Sequence, residues 1–368
     1  MVHCNITNNR QHNRVKTILN EKANDRHSVD SPLVLLRTHA DRATGFGHLM
    51  RLLSIGDALR ESGLRVKLLL HGDEPAQSLA RRYEFEPEPS GPEFSVAEVR
   101  RDDRPAGIFL DSYLYRSDYP AAWRAAGVAV GIVDDMADRG LRADLMINPN
   151  VTAEDHRERY LADGNENLLL GIDYMPLRRA IRQERQSEPD SFPRLLIIFG
   201  ASDIGHKTAW VVDALAGVDE PYAVDVVIGP ESPTLELIKQ AAEKARKRGR
   251  EVLVHHAPSQ LPQLMVRATL AISAGGVTAS ELAYLGRPAL LIPTAENQVA
   301  AAQRWADLNV HRRLKHTDDP IELRAELHLL LGAPNLRLAM GANGRHLVDG
   351  RGAERIAKLA DNWLRRRQ

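Results

Sequence analysis

The feature that most constrains this chain is a rhythm. Short apolar runs without strict alternation are separated by amphipathic stretches through most of its 368 residues. A strand that is apolar on both faces has to be covered on both, and intervening helices supply the cover. The pattern therefore specifies an α/β protein with parallel sheets. In the first half strands are expected at 33–36, 66–70, 107–110, 128–133, 145–147 and 167–170. The clearest helix is 48–62, where Leu49, Leu52, Leu53, Gly56 and Leu59 share one face before Gly63 stops it. The scheme repeats in the second half, with strands expected at 194–199, 224–228, 252–254, 270–273 and 289–292. Helices are expected there at 207–215, 234–247, 260–267, 278–285 and 299–308. The polar stretch 178–192, carrying Pro189, reads as a linker between a lobe at 31–177 and a lobe at 193–350. The remainder, 351–368, reads as a terminal helix.

Composition removes several function classes. Lys plus Arg and Asp plus Glu number 49 each, so there is no basic excess to attract nucleic acid or an anionic membrane. Aromatic residues are 5% of the chain, too few for base-stacking platforms. The single cysteine, Cys4, excludes an internal disulfide and a Cys-based zinc site and suits a cytoplasmic protein. No apolar run approaches the roughly eighteen residues of a membrane span, so no stable insertion is expected. Residues 1–30 lack the apolar core of a signal peptide and read as a disordered extension or an over-called start.

Chemistry concentrates where expected strands hand over to helices. Gly45-Phe46-Gly47-His48 is one such place. Glycine lets a ligand approach the backbone, and a helix start offers unpaired N–H groups and the positive end of a dipole. His48 is either the cap of a turn or, as a neutral imidazole facing a ligand, a base for water or a hydroxyl. A dinucleotide fingerprint fits poorly, because Met50 stands where the third small residue belongs. A second helix start follows Ser273-Ala274-Gly275-Gly276, with Glu281 placed either to accept bonds from ribose hydroxyls or to face solvent. The loops at Gly200-Ala201-Ser202-Asp203 and Ile228-Gly229-Pro230 also end strands, where open parallel sheets bind ligands. Ser202 is not an esterase nucleophile, since Ile204 replaces the second glycine of that motif. Asp134-Asp135 reads as helix caps or, alternatively, as a Mg²⁺ pair. His255-His256 has no carboxylate or cysteine at ligand spacing.

Taken in order, these motifs carry a family resemblance. The series runs from Arg37 through Gly45-Phe46-Gly47-His48 with Arg51, then Asp111-Ser112-Tyr113, 133–139, Asn148-Pro149-Asn150 and 171–178. It closes with 273–288 and Asn297-Gln298. It resembles the UDP-2,4-diacetamido-2,4,6-trideoxy-β-L-altropyranose hydrolases of pseudaminic acid biosynthesis and their spore-coat relatives. The second lobe alone also resembles the N-acetylglucosaminyl transferase of peptidoglycan synthesis. The resemblance implies a GT-B architecture of two Rossmann-like lobes, with the last helix crossing back to the first. It implies His48 as the base that activates water, without metal or other cofactor, and Gly275-Gly276 on the diphosphate. Glu281 would bind the ribose, with Gly200, Ser202, Asn297 and Gln298 also on the nucleotide side. Arg37, Gly45, Gly47, Asp111, Tyr113 and Tyr174 would enclose the sugar. The chain departs from the family at His39, where an Asp is common, and at Gly200-Ala201. The expected activity is hydrolysis of a UDP-linked acetamido sugar, with a glycosyltransferase or a non-catalytic nucleotide-sugar binder as alternatives.

Overall fold

The computed structural model describes residues 31–41, 44–92, 94–100, 103–185, 189–200, 203, 205–229 and 232–365. The reading of 1–30 as an extension, and Ala201, Ser202, Ile204 and Pro230 in the two strand-end loops, lie outside them.

The apolar runs form two parallel sheets. The N-lobe sheet holds β1 (Leu33–Ala40), β2 (Arg65–Gly72), β3 (Pro87–Pro89), β4 (Gly107–Asp111), β5 (Ala129–Val133), β6 (Leu145–Asn148) and β7 (Leu168–Leu170). Its spatial order is β3-β2-β1-β4-β5-β6-β7. The C-lobe sheet holds β8 (Arg194–Ile198), β9 (Ala223–Ile228), β10 (Glu251–His256), β11 (Leu270–Ser273), β12 (Ala289–Leu291) and β13 (Arg312–Arg313), in the order β10-β9-β8-β11-β12-β13. Two parallel-sheet, Rossmann-like lobes facing one cleft are the GT-B architecture. β3 and β13, too short to show as apolar runs, are the edges that sequence reading does not find. His255, in β10, meets Asp225 of the neighbouring β9 at 2.7 Å, a carboxylate distant in sequence but adjacent in the sheet.

Helices cover both faces. N-lobe helices are α1 (Gly47–Glu61), α2 (Glu74–Arg82), α3 (Asp118–Ala125) and α4 (Arg157–Ala162). The segment read as a linker carries the short α5 (Arg179–Gln183), whose Ile181 is fully buried. The C-lobe has α6 (Lys207–Ala214), α7 (Leu235–Lys247), α8 (Leu261–Arg267), α9 (Val277–Leu285), α10 (Asn297–Asp307), α11 (Pro320–Gly332) and α12 (Pro334–Leu347). Among the described residues no helix is long and apolar enough to cross a membrane.

The last helix, α13 (Gly352–Arg365), packs against α1. Ala353, Ile356, Ala357, Ala360 and Leu364 recur at helical spacing on one face and join Leu49, Leu52 and Leu53 in the N-lobe core. Gly352 makes this docking possible: a Cβ there would lie 2.3 Å from the Met175 carbonyl oxygen. Gly352→Ala is therefore expected to destabilise the protein by about 1–3 kcal/mol through overpacking against backbone, read as a lower midpoint in urea unfolding.

Candidate functional site

In each sheet the strand order reverses beside the first strand of the lobe, between β1 and β4 and between β8 and β11. Helices on the two sides of such a point leave in opposite directions, and a crevice opens at the carboxyl ends of the strands. α1 begins after β1 and Asp111 ends β4, so their side chains meet in that crevice. His48 Nδ1 lies 2.5 Å from Asp111 Oδ1. One turn along α1, Arg51 donates from Nε to Asp111 Oδ2 at 3.0 Å and from Nη2 to Oδ1 at 2.8 Å. Its Nη1 is 2.7 Å from both oxygens of Asp135. Tyr113 and Asn150 each donate to Asp135 at 3.0 Å. The Tyr113 ring stands edge-on to His48, with centroids 4.4 Å apart.

These contacts assign the histidine tautomer. A carboxylate only accepts, so Nδ1 carries the proton and donates to Asp111. The 3.1 Å approach of Arg51 Nη2 to the same nitrogen is then a contact between two donors. In the neutral ring Nε2 then carries the lone pair, and His48 lines the cleft. Burial alone would lower the Arg51 pKa, but the flanking Asp111 and Asp135 carboxylates raise it well above its ordinary value. Burial would raise Asp135, yet Arg51 reverses that and holds it below the usual carboxylate range. Burial, followed by the Asp135 charge, pushes Tyr113 up, so it remains a neutral donor. Both aspartates of the 134–135 pair are taken up by protein donors. Asp134 caps the turn at Ala137 at 2.8 Å and also accepts from Tyr160 and Arg139.

A cavity of about 410 Å³ lies between the lobes. Gly47, His48, Arg51 and Tyr113 form its N-lobe floor, and Asn150, Thr152, Asp155 and His156 form a wall. The C-lobe contributes Gly275, Gly276 and Val277 at the start of α9, and Asn297 and Gln298 at the start of α10. Three helix N-termini thus face one space: those of α1, α9 and α10, which are 15, 9 and 11 residues long. Their N-cap residues Phe46, Gly276 and Glu296 make no side-chain cap hydrogen bond. Backbone N–H groups and positive dipole ends converge there, which is the provision an anionic group needs. A Cβ added at Gly47 would meet nothing within 4 Å, so that side of the cavity is open to a ligand. At Gly275 a Cβ would come within 3.0 Å of the Gln298 carbonyl oxygen, and the bare glycine lets α10 close on the loop. The Gln298 side-chain oxygen accepts from Thr294 N at 2.9 Å, which fixes the amide beside Gly276.

The other residues singled out in the sequence lie elsewhere. Gly45 adopts a left-handed φ of 75° and shapes the turn before α1 without lining the cavity. Arg37 is buried on the far side of β1, bonded to Ser90 Oγ at 2.6 Å and Gly91 O at 2.5 Å. Tyr174 packs against the N-lobe core near α13, and Gly200 is exposed at the end of β8. Glu281 is buried, and Arg178 holds both its oxygens, at 2.5 and 2.6 Å. His39 Nδ1 is 3.0 Å from Ser112 Oγ, beneath the loop that carries Asp111 and Tyr113. Arg51, Asp135 and Asn150 belong to the motif series, but the sequence alone does not show that they are bonded to one another. Thr152 and His156 follow the Asn148-Pro149-Asn150 motif and carry no signal of their own.

No protein-family model matches the sequence. The chain is 28% identical over 215 residues to the spore coat polysaccharide biosynthesis protein SpsG of Bacillus subtilis, covering 56% of this chain and 61% of that one. The match therefore spans about three fifths of that relative's length. It is 26% identical over 366 residues to a UDP-N-acetylglucosamine–N-acetylmuramyl-(pentapeptide) pyrophosphoryl-undecaprenol N-acetylglucosamine transferase of a Methylobacterium species, covering 90% of this chain and 97% of that one. Among solved structures, a UDP-GlcNAc 2-epimerase from Neisseria meningitidis bound to UDP-GlcNAc superposes with a TM-score of 0.63 at 13% identity. That superposition covers 89% of this chain and 98% of the epimerase, and it shows the shared fold.

Two stability measurements follow from these contacts. Glu281→Ala removes the carboxylate from the largely buried Arg178 guanidinium and is expected to cost about 3 kcal/mol in urea unfolding, with Glu281→Gln recovering part of it. Burial, then the neighbouring Arg37 and His71, lower the His39 pKa from 6.5 to about 4. As pH falls through that window, the unfolded chain takes up a proton that the folded one refuses. Stability is present above pH 6.5 and declines toward pH 4. His39→Asn should flatten that decline by on the order of 2 kcal/mol, measured by chemical denaturation at pH 7 and pH 4.5.

Proposed function

We propose that this protein is a glycosyltransferase-like enzyme that cleaves a UDP-linked amino sugar at its anomeric carbon and passes the glycosyl group to an acceptor hydroxyl. The observation that carries the reading is the convergence of three uncapped helix N-termini on a cavity floored by the Asp111-backed His48. The C-lobe loops at Gly275-Gly276 and Asn297-Gln298 would hold the diphosphate, with N–H groups aimed at the charge that grows on the leaving oxygens. The acceptor oxygen would attack C1 as the bond from C1 to the β-phosphate oxygen breaks. Its proton would pass to His48 Nε2, and the bonding pair would leave with UDP. Asp111 would hold the imidazole in the required tautomer and stabilise the imidazolium that forms. The choice of UDP and of an amino sugar is supported by the names of the transferase relative and of the epimerase structure.

A second reading replaces the acceptor by water, giving a nucleotide-sugar hydrolase. It is favoured by Tyr113, whose ring stands 4.4 Å from that of His48 and limits what can approach it, and by the ordered N-lobe motifs. One experiment separates the two. The protein is incubated with UDP-N-acetylglucosamine and with UDP-linked diacetamido 6-deoxy sugars in ¹⁸O-water, with and without a sugar acceptor. Release of UDP that requires the acceptor supports transfer. Repeated acceptor-free turnover with label on C1 of the sugar supports hydrolysis, and label in UDP places attack at phosphorus and removes both readings. In either reaction His48→Ala should lower kcat by about 10²–10⁴, with UDP affinity nearly unchanged by calorimetry. Full activity in that variant would reduce His48 to a turn residue.

A further inference from the structure

The base at His48 leaves a second imidazole in the same cavity without a part in the reaction. His156 closes the 3-10 turn Ala153–His156, and it lines the cavity from the N-lobe wall. The wall is held against α10 by an ion pair between Asp155 and Arg304 at 3.2 Å. Asn297, Ala300, Ala301 and Arg304 stand at i, i+3, i+4 and i+7, so they form one stripe along α10. The first three of them line the cavity, and the fourth anchors the wall. His156, next to Asp155, therefore faces the same cavity as the stripe that leads to the α10 N-terminus. Alanine at 300 and 301 keeps that stripe low and leaves room above it. Among the described residues, no hydrogen bond is made by either ring nitrogen of His156; its ring contact is edge-on to Tyr160, at 6.5 Å.

We propose that His156 is a further catalytic residue, an N-lobe donor that hydrogen-bonds the β-phosphate of the bound nucleotide diphosphate opposite the α10 N-terminus. The assignment rests on the nucleotide-sugar reading of the cleft. In the reaction the C1–O bond breaks with its electron pair moving onto the β-phosphate oxygens, while the nucleophile's proton goes to His48. The His156 N–H meets the charge arriving on those oxygens, and no proton or electron needs another source. The two imidazoles divide the work across one cavity: His48 serves the entering oxygen and His156 the departing one. The C-lobe helix termini grip the diphosphate from one side and His156 from the other, so the phosphate contact is completed only when the lobes are apposed.

The test is a phosphate ladder. Uridine, UMP and UDP are titrated calorimetrically into the wild type, His156→Ala and His156→Gln, with thermal unfolding confirming that each variant is folded. The expected result is a loss of about 10- to 100-fold in UDP affinity for His156→Ala, the worth of one charge-assisted hydrogen bond, with uridine affinity unchanged. His156→Gln, which keeps an N–H donor and most of the side-chain volume, should recover part of the loss. Equal weakening of uridine and UDP would overturn the proposal and make the wall part of a nucleoside pocket. Unchanged UDP affinity in both folded variants would overturn it as well, leaving the C-lobe diphosphate site intact. A wild type that binds UDP no better than uridine would overturn the diphosphate site itself, and the His156 assignment with it.

Discussion

The floor of the cleft is organised around Arg51. Its buried guanidinium gathers Asp111 at the end of β4 and Asp135 after β5, two carboxylates that would repel one another without it. Through Asp111 it sets the orientation of His48, and through Asp135 it fixes Tyr113 and Asn150. Two carboxylates against one guanidinium leave a net negative charge beneath the imidazole. That favours positive charge arising above it. The α9 and α10 termini favour negative charge at the other end of the cavity. The site is polarised along its length.

Such an arrangement follows from the topology of parallel sheets. Both sheets place their strand reversals beside the first strand of the lobe, so each presents a crevice and a glycine-opened helix on the same edge. The division of labour is also topological. The N-lobe crevice receives side chains that end strands or begin α1, and these carry titratable groups. The C-lobe crevice receives backbone from the Gly275-Gly276 loop and the α10 start, which carries partial charge but no titratable proton. The ion pair of Asp155 with Arg304 joins the two crevices at the cavity wall.

Features set by local pattern were legible in the sequence. Runs such as 194–198 and 270–273 became strands because an uninterrupted apolar segment bounded by polar turns has few other options. The helix starts after Gly45-Phe46-Gly47 and Gly275-Gly276 were legible for the same reason, and these loops do reach the cavity. Pairings across long sequence separations were not. Nothing local to Glu281 announces Arg178, and nothing local to Arg51 announces Asp135, since each pair is created by the way strands are ordered in the sheet. Arg37 illustrates the reverse case. Its place in an ordered motif points to the sugar, but alternation along β1 turns its side chain toward the Ser90–Pro92 loop. His156 lacks both periodicity and a glycine flank, and only its position against α10 gives it meaning.

The docking of α13 has a consequence for how this chain is made. The apolar face that finishes the N-lobe core comes from residues synthesised after the whole C-lobe. While the chain emerges from the ribosome, the groove on α1 that will receive Ala353, Ile356 and Ala360 has no occupant, though the strands beneath it are already complete. The N-lobe stays open on that face until translation has passed through every C-lobe strand. The two lobes are separate in architecture but not in assembly, and the first to be synthesised is the last to be sealed.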